Sequence, residues 1–389
     1  MQYSKRHCFW TVVGVLTYLL DIGTDVWVAF QYFMDGRYAW FALTLLFVVS
    51  ATVTIQIFSY SWFKDDRERE RGEETQEERE APGHCIFLLH LLQMGIFTRL
   101  HHPTKALTRG CLWRSKLNED TENLVETRTL SHVGSTKRLL AADVSMLRLF
   151  ETFLESVPQL VLQLYIILEY GNIITIQYIT ILTSFFSIAW ATVDYQRCLR
   201  RSLHYKEEMQ AGLSTVVYLL YKLFTVTSRV LSIILLTILN VVWTSALVVV
   251  WLFGTLWAFR QKTTFCTSKT LEVFYRMIVG VFLVFTFFNV KGQNTKVSMT
   301  IYYILSALQT LFIMLVIYFL KPSAQRTDYF FPICITVMCT FVLGIICLVL
   351  YYKFFHPKKY CVVEPDEVDG LEVGASRQKP SRMNTFVQQ

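Results

Sequence analysis

The chain has 389 residues, of which 53% are hydrophobic and only 17% charged, and it carries a formal net charge of +7. A soluble domain of this size needs far more charge to cover its surface, so the balance points to a membrane protein. The chain contains no His-Glu-x-x-His pair, no Gly-x-Ser-x-Gly elbow and no phosphate-binding Gly loop, which removes the commonest hydrolase and nucleotide-binding readings and leaves nothing that expects a cofactor or a nucleic-acid partner.

Ten apolar segments follow one another, at about 8–31, 38–63, 85–98, 143–170, 173–193, 213–239, 241–259, 271–290, 299–320 and 329–352. Most reach the roughly 20 residues that carry a helix across a hydrocarbon core of about 30 Å. The first contains Asp21 and Asp25 and lacks a small-residue cleavage site, so it reads as a retained span and not as a signal peptide. The third is too short to span and reads as re-entrant or interfacial. It lies within a polar insertion, 64–142, that opens with a mixed-charge run from Lys64 to Glu80, expected to be solvated or frayed helix. From 356 onward the chain is a polar tail.

Lys and Arg set the orientation. The 64–142 insertion holds 13 of the 37, which places it in the cytoplasm, and the N-terminus two segments earlier with it. Lys353, Lys358 and Lys359 place the tail there too. Both ends on one side require an even number of spans. If 85–98 is re-entrant, one further segment must be, and 271–290 holds the matching place in a second set of five. Only Arg37, Lys321 and Arg326 then lie outside. The expectation is an all-α polytopic membrane protein of eight transmembrane helices plus two re-entrant helices, its topology compatible with a 5+5 pseudo-repeat. The expected divisions are an N-terminal repeat over 1–200 with the insertion 64–142, a C-terminal repeat over 201–355, and a regulatory tail over 356–389.

The informative residues are ionisable groups inside apolar segments, each of which needs a partner or a wet cavity because burying it costs at least about 2.5 kcal/mol. Asp21 and Asp25 share one face of the first segment. In the fourth, Glu151, Glu155, Gln159 and Gln163 form an i, i+4 ladder, Arg148 stands a turn earlier, and Pro158 is expected to kink the helix. Lys222 and Arg229, seven apart, share a face of the sixth, and Glu272 and Arg276 are spaced to pair on their own helix. These residues are either structural ion pairs or a hydrophilic track serving ions, a substrate or lipid headgroups. The nine Cys have no framework spacing and read as reduced thiols; His84 with Cys85, and His101 with His102, lack the second pair that a metal site needs.

The run from Asp143 to Gln163, Asp-Val-Ser-Met-Leu-Arg-Leu-Phe-Glu-Thr-Phe-Leu-Glu-Ser-Val-Pro-Gln-Leu-Val-Leu-Gln, resembles the signature of the XK-related family. So do Leu-Asp-Ile-Gly-Thr-Asp-Val-Trp at 20–27, Ser-Tyr-Ser-Trp-Phe at 59–63 and Trp-Ala-Thr-Val-Asp-Tyr-Gln at 190–196, while Phe-Thr-Phe-Phe-Asn-Val-Lys-Gly-Gln-Asn-Thr-Lys at 285–296 resembles one branch of it. The resemblance spans residues 1–357 and implies phospholipid scrambling at the plasma membrane: ATP-independent exposure of phosphatidylserine in apoptotic cells after caspases cut the C-terminal tail. Residues Asp366, Glu367, Val368, Asp369 and Gly370 match the preferred pattern of executioner caspases. Met383, Phe386 and Val387, beyond the cut, have the spacing of a short apolar face that could dock on the bundle and hold it inactive. Under this reading Asp21, Asp25, Arg148, Glu151, Glu155, Gln159 and Gln163 line a headgroup pathway, and the protein is not an enzyme. The implied partners are membrane phospholipids, an executioner caspase and, as in some relatives, a single-span accessory subunit. A solute transporter or channel, or a membrane scaffold, are the competing classes.

Overall fold

A computed structural model describes residues 23, 25–71, 138–170, 175–202, 209, 212–261, 263, 265–289, 296–320, 327 and 329–355. Among these the chain is all-helical. Helix α1 covers 25–34 and α2 covers Tyr38–Arg71. Between them Arg37 N–H donates to the Tyr32 carbonyl and Gly36 N–H to that of Phe33. This paired closure of a helix end needs a left-handed residue, and Gly36 supplies it at φ 71°. Arg37 then lies over the rings of Trp40 and Tyr170, 4.2 and 4.7 Å from their centroids, in an aromatic cluster of the kind found at membrane interfaces. At 34 residues, α2 is roughly 50 Å long, well beyond a hydrocarbon core. Its overhang is the start of the mixed-charge run, where Lys64 and Glu68 form an exposed i, i+4 pair at 3.8 Å. The helix expected there is present over 64–71, with Lys64 and Glu68 exposed, and the rest of that run lies outside the described residues.

Helix α3 covers 138–170 and contains a π turn at Thr152–Ser156. Pro158 has no N–H to give to Leu154, and the backbone takes up the missing bond as this wider turn. Helix α4 covers Thr175–Ser202, and α5 covers Leu213–Leu239. A tight turn, Val241–Ser245, started by the Asn240 side chain accepting from Val242 N–H, leads into α6, Ala246–Arg260. Helix α7 is Lys269–Phe285, α8 is Lys296–Leu320, and α9 is Phe330–Leu350 with a terminal π turn, Tyr351–Phe355.

Among the described residues five stretches are long and apolar enough to cross a membrane: Tyr38–Asp66, Leu213–Leu239, Val242–Arg260, Lys296–Leu320 and Phe330–Phe355. Helix α5 is the centre of the bundle, its apolar stretch buried over 78% against 11–28% in the other four. It touches α3, α4, α7, α8 and α9. Outward faces of α6, α8 and α9 expose Phe253, Leu256, Phe312, Phe319 and Ile335, a surface that lipid and not water would solvate.

The directions of the later helices follow from named contacts. Ser214 Oγ, at the start of α5, donates to the Phe355 carbonyl at the end of α9, and Ser228 Oγ donates to Val337 O, so α9 runs antiparallel to α5. Tyr221 bonds Tyr303 through their hydroxyls, and Leu235 and Leu236 cluster with Ile313 and Ile317, so α8 runs parallel to α5. Helix α7 packs antiparallel to α6, with Gly280 against Thr255 and, further back along α7, Arg276 over the Phe259 ring at 5.3 Å. The Val241–Ser245 turn folds α6 back along α5, with Thr244 Oγ1 donating to Thr237 Oγ1 and Leu247 packed on the Leu235 and Leu236 cluster, so successive helices α7 and α8 point the same way. The end of α7 lies halfway along α3, where Phe153 meets Phe282 and Phe285 at 5.0 and 6.2 Å.

The packing relies on close approach. Lipid is as apolar as the helix faces, so association depends on fit and buried polar contacts. A Cβ on Gly280 would stand 2.1 Å from Thr255 Oγ1, and one on Gly344 of α9 would stand 2.7 Å from Thr225 Cγ2 of α5. Aromatic rings join α2, α3 and α7: Phe58 meets Phe150 at 4.9 Å, and Phe150 meets Phe282 at 5.9 Å.

Candidate functional site

The polar ladder of α3 runs along a helix whose neighbours on the chain are apolar. Glu155 and Gln159 are buried, Glu151 and Gln163 half-buried, and Arg148 exposed. The π turn falls between Glu151 and Pro158, so Glu155 lies within the widened turn. Such turns break the regular 3.6-residue stacking and recur at functional positions. Both Glu151 and Glu155 have interaction partners. Among the described residues Arg148 joins no ion pair, so it does not neutralise the ladder. The amide Nε2 of Gln159 is buried and has no hydrogen-bond partner. Leaving a buried donor unpaired costs about 1–3 kcal/mol. Asp25 is half-buried on α1. Asp21 lies outside the described residues, as do Asp366, Glu367, Val368, Asp369, Gly370, Met383, Phe386 and Val387.

A second polar cluster forms at the inner end of α7. Lys222 is 2% exposed; its Nζ donates to Thr286 Oγ1 and to the Phe287 carbonyl, each at 3.0 Å, and lies 5.1 Å from the Tyr221 ring centroid. Arg229 is 5% exposed and donates from Nε to the Val284 carbonyl at 2.7 Å. The shared face of α5 thus aims both cations at the end of α7, Arg229 at a carbonyl of its last turn and Lys222 at Thr286 and Phe287 just beyond it, where the helix dipole favours positive charge. Of the two readings the spacing allows, ion pair or polar track, the ion pair does not hold for these two among the described residues: their partners are carbonyls and a hydroxyl. The helix end cannot be seen in the sequence, because nothing local in 285–289 marks it as buried.

The predicted pair on α7 is present. Arg276 Nε lies 3.2 Å from Glu272 Oε1. Glu272 also accepts from Thr263 Oγ1 and from Cys266 N–H, and Arg276 donates to the Thr263 carbonyl, so the pair is buried with its lone pairs satisfied. This cluster ties the 261–268 loop to α7, and Thr267 Oγ1 extends it to Asp65 of α2 at 2.8 Å. Its role is structural. Residues missed by sequence reasoning include Gly280 and Gly344, whose only signal was a small residue within an apolar run, and the Tyr221–Tyr303 pair. Among the described residues no three His, Cys, Asp or Glu side chains gather as a metal site, and Cys198, Cys266, Cys334, Cys339 and Cys347 are free thiols.

Comparison with known proteins covers nearly the whole chain. The family model described as XK-related protein matches residues 9–357. The chain is 41% identical to XK-related protein 9 of Tetraodon nigroviridis over 374 residues, 96% of each chain. It is 35% identical to XK-related protein 8 of Pan troglodytes over 367 residues, 92% of this chain and 86% of the other. XK-related protein 8 of Tetraodon nigroviridis is 31% identical, over 92% of this chain and 85% of that one. With apolar helices long enough to span, a buried polar ladder in α3, and matches of this extent, the chain belongs to the XK-related family of multi-pass membrane proteins.

Proposed function

We propose that the protein is an ATP-independent phospholipid scramblase of the plasma membrane, exposing phosphatidylserine during apoptosis once a caspase removes its tail. The observation that carries this reading is the α3 ladder, with buried Glu155 in a π turn and the unpartnered Gln159 amide one turn further on. A lipid headgroup cannot enter hydrocarbon without lost hydrogen bonds. Carboxylates and amides spaced along a helix offer it successive partners while the acyl chains stay in lipid. No nucleotide is needed, because the lipid moves down its own gradient. In this reading Asp21, Asp25, Arg148, Glu151, Glu155, Gln159 and Gln163 line the pathway. The protein does no covalent chemistry, and its partners are membrane phospholipids, an executioner caspase and, as in some relatives, a single-span accessory subunit.

The topology we infer has eight spans and two re-entrant helices, 85–98 and α7, with both termini cytoplasmic and two five-segment halves meeting near residue 200. The parallel run of α7 and α8 supports it, since a chain that enters twice in one direction must come back in between. In this arrangement α7 enters from the cytoplasmic side and stops at mid-depth.

The switch is the tail. Cleavage after Asp369 needs Asp366 three residues earlier and the small Gly370 after the cut, and it releases residues 370–389. Docking of Met383, Phe386 and Val387 on the bundle favours the inactive arrangement, and their loss shifts the population toward the active one. The test is reconstitution in liposomes carrying fluorescent lipids, with the chain intact or ended at Asp369. Dithionite reaching the lipids of both leaflets only with the shortened chain is the expected result. Solute flux without lipid transfer would replace this reading with a channel or transporter. Phosphatidylserine exposure by Asp369→Ala equal to wild type in apoptotic cells would remove cleavage as the trigger.

A further inference from the structure

We propose that Lys222 and Arg229, together with the end of α7, form a binding site for one small anionic group deep in the bundle. Among the described residues neither cation has a carboxylate within ion-pair distance. Both are nearly inaccessible, at 2% and 5% exposure. The negative end of α7 amounts to roughly half an elementary charge. Two cations against that half-charge leave more than one positive charge buried without compensation, an arrangement that costs several kcal/mol. The geometry says where the compensation would sit. Arg229 commits Nε to Val284 O, while its NH1 is buried and makes no hydrogen bond. Lys222 commits two of its three N–H bonds, to Thr286 Oγ1 and Phe287 O. A guanidinium edge and an ammonium are the donors that charge-assisted hydrogen bonds to a halide or a phosphate oxygen use. The site uses no residue of the α3 ladder and does not depend on lipid passing along it.

Two sources share this chemistry: a free inorganic anion, or the phosphate or carboxylate of a lipid headgroup. The full chain, purified in uncharged detergent, is melted in gluconate buffer at fixed ionic strength. Chloride is then substituted for gluconate, or short-chain dihexanoyl phosphatidylserine is added below its micelle concentration. Anything that binds the folded protein alone raises its midpoint in a saturable way, here by about 2–5 °C. A rise with chloride assigns the site to a free anion, and a rise with the short-chain lipid alone assigns it to a headgroup. In either case Arg229→Gln and Lys222→Gln lose the rise, and Arg229→Lys retains most of it. No rise in the wild-type chain with either probe, matched by no heat of binding in calorimetry, overturns the proposal whether or not the variants fold. An equal rise in wild type and Arg229→Gln overturns it too.

Discussion

Substituting Gly280 by alanine isolates what holds α6 and α7 together. The added Cβ would stand 2.1 Å from Thr255 Oγ1, and 3.1 Å from both Thr255 N and the Trp251 carbonyl. The first conflict can be relieved by rotating a side chain. The other two involve backbone, so the helices must separate by a few tenths of an ångström. Overpacking costs about 1–3 kcal/mol, and two backbone conflicts beside the side-chain one put this site in the upper half, about 2–3 kcal/mol. Alanine returns about 1 kcal/mol of helix propensity relative to glycine. The expected result is a net loss of about 1–2 kcal/mol. The assay is the fraction of chain that stays monodisperse on size exclusion after heating in detergent. Thr255→Ala alone should be nearly silent, since Thr255 Oγ1 is buried without a partner. Combined with Gly280→Ala, it should recover about half the loss, because the backbone contacts remain. A Gly280→Ala chain as heat-resistant as wild type would refute the close-approach argument. A double variant no better than the single one would show that Thr255 is not the side chain in the way.

Glu272→Ala leaves Arg276 half-buried beside orphaned donors from Thr263 and Cys266, and should destabilise the chain by about 2–4 kcal/mol, read as lost monodisperse yield. Tyr303→Phe removes the hydroxyl bond to Tyr221 and should cost about 1 kcal/mol in the same heating assay. If the α3 ladder is a lipid path, Glu155→Gln should reduce lipid transfer by the chain ended at Asp369 at least several-fold while expression is unchanged; unaltered transfer by well-expressed protein would count against the pathway. Deleting 72–80, beyond the overhang of α2, should leave that transfer intact in the same liposome assay.

Much of this protein is written in the sequence by itself. A run of 20 apolar residues must become helix in a membrane, because every backbone group has to bond within its own segment. That is why α5, α6, α8 and α9 lie within a few residues of where hydropathy puts them. The one-turn spacing of Glu272 and Arg276 likewise determines their pairing, since it depends only on helix geometry. The family, too, was legible, in the run from Asp143 to Gln163. What tertiary structure decided is everything that depends on which faces meet. Pro158 announced a disturbance, but only packing chose a π turn and set Glu155 inside it. Lys222 and Arg229 were visible as a shared face, yet their partners are carbonyls some 55–65 residues along the chain, exposed because α7 ends in the interior. No local pattern encodes such a meeting. A buried charge takes whatever partner the fold brings to it, and that partner is settled only when the helices pack.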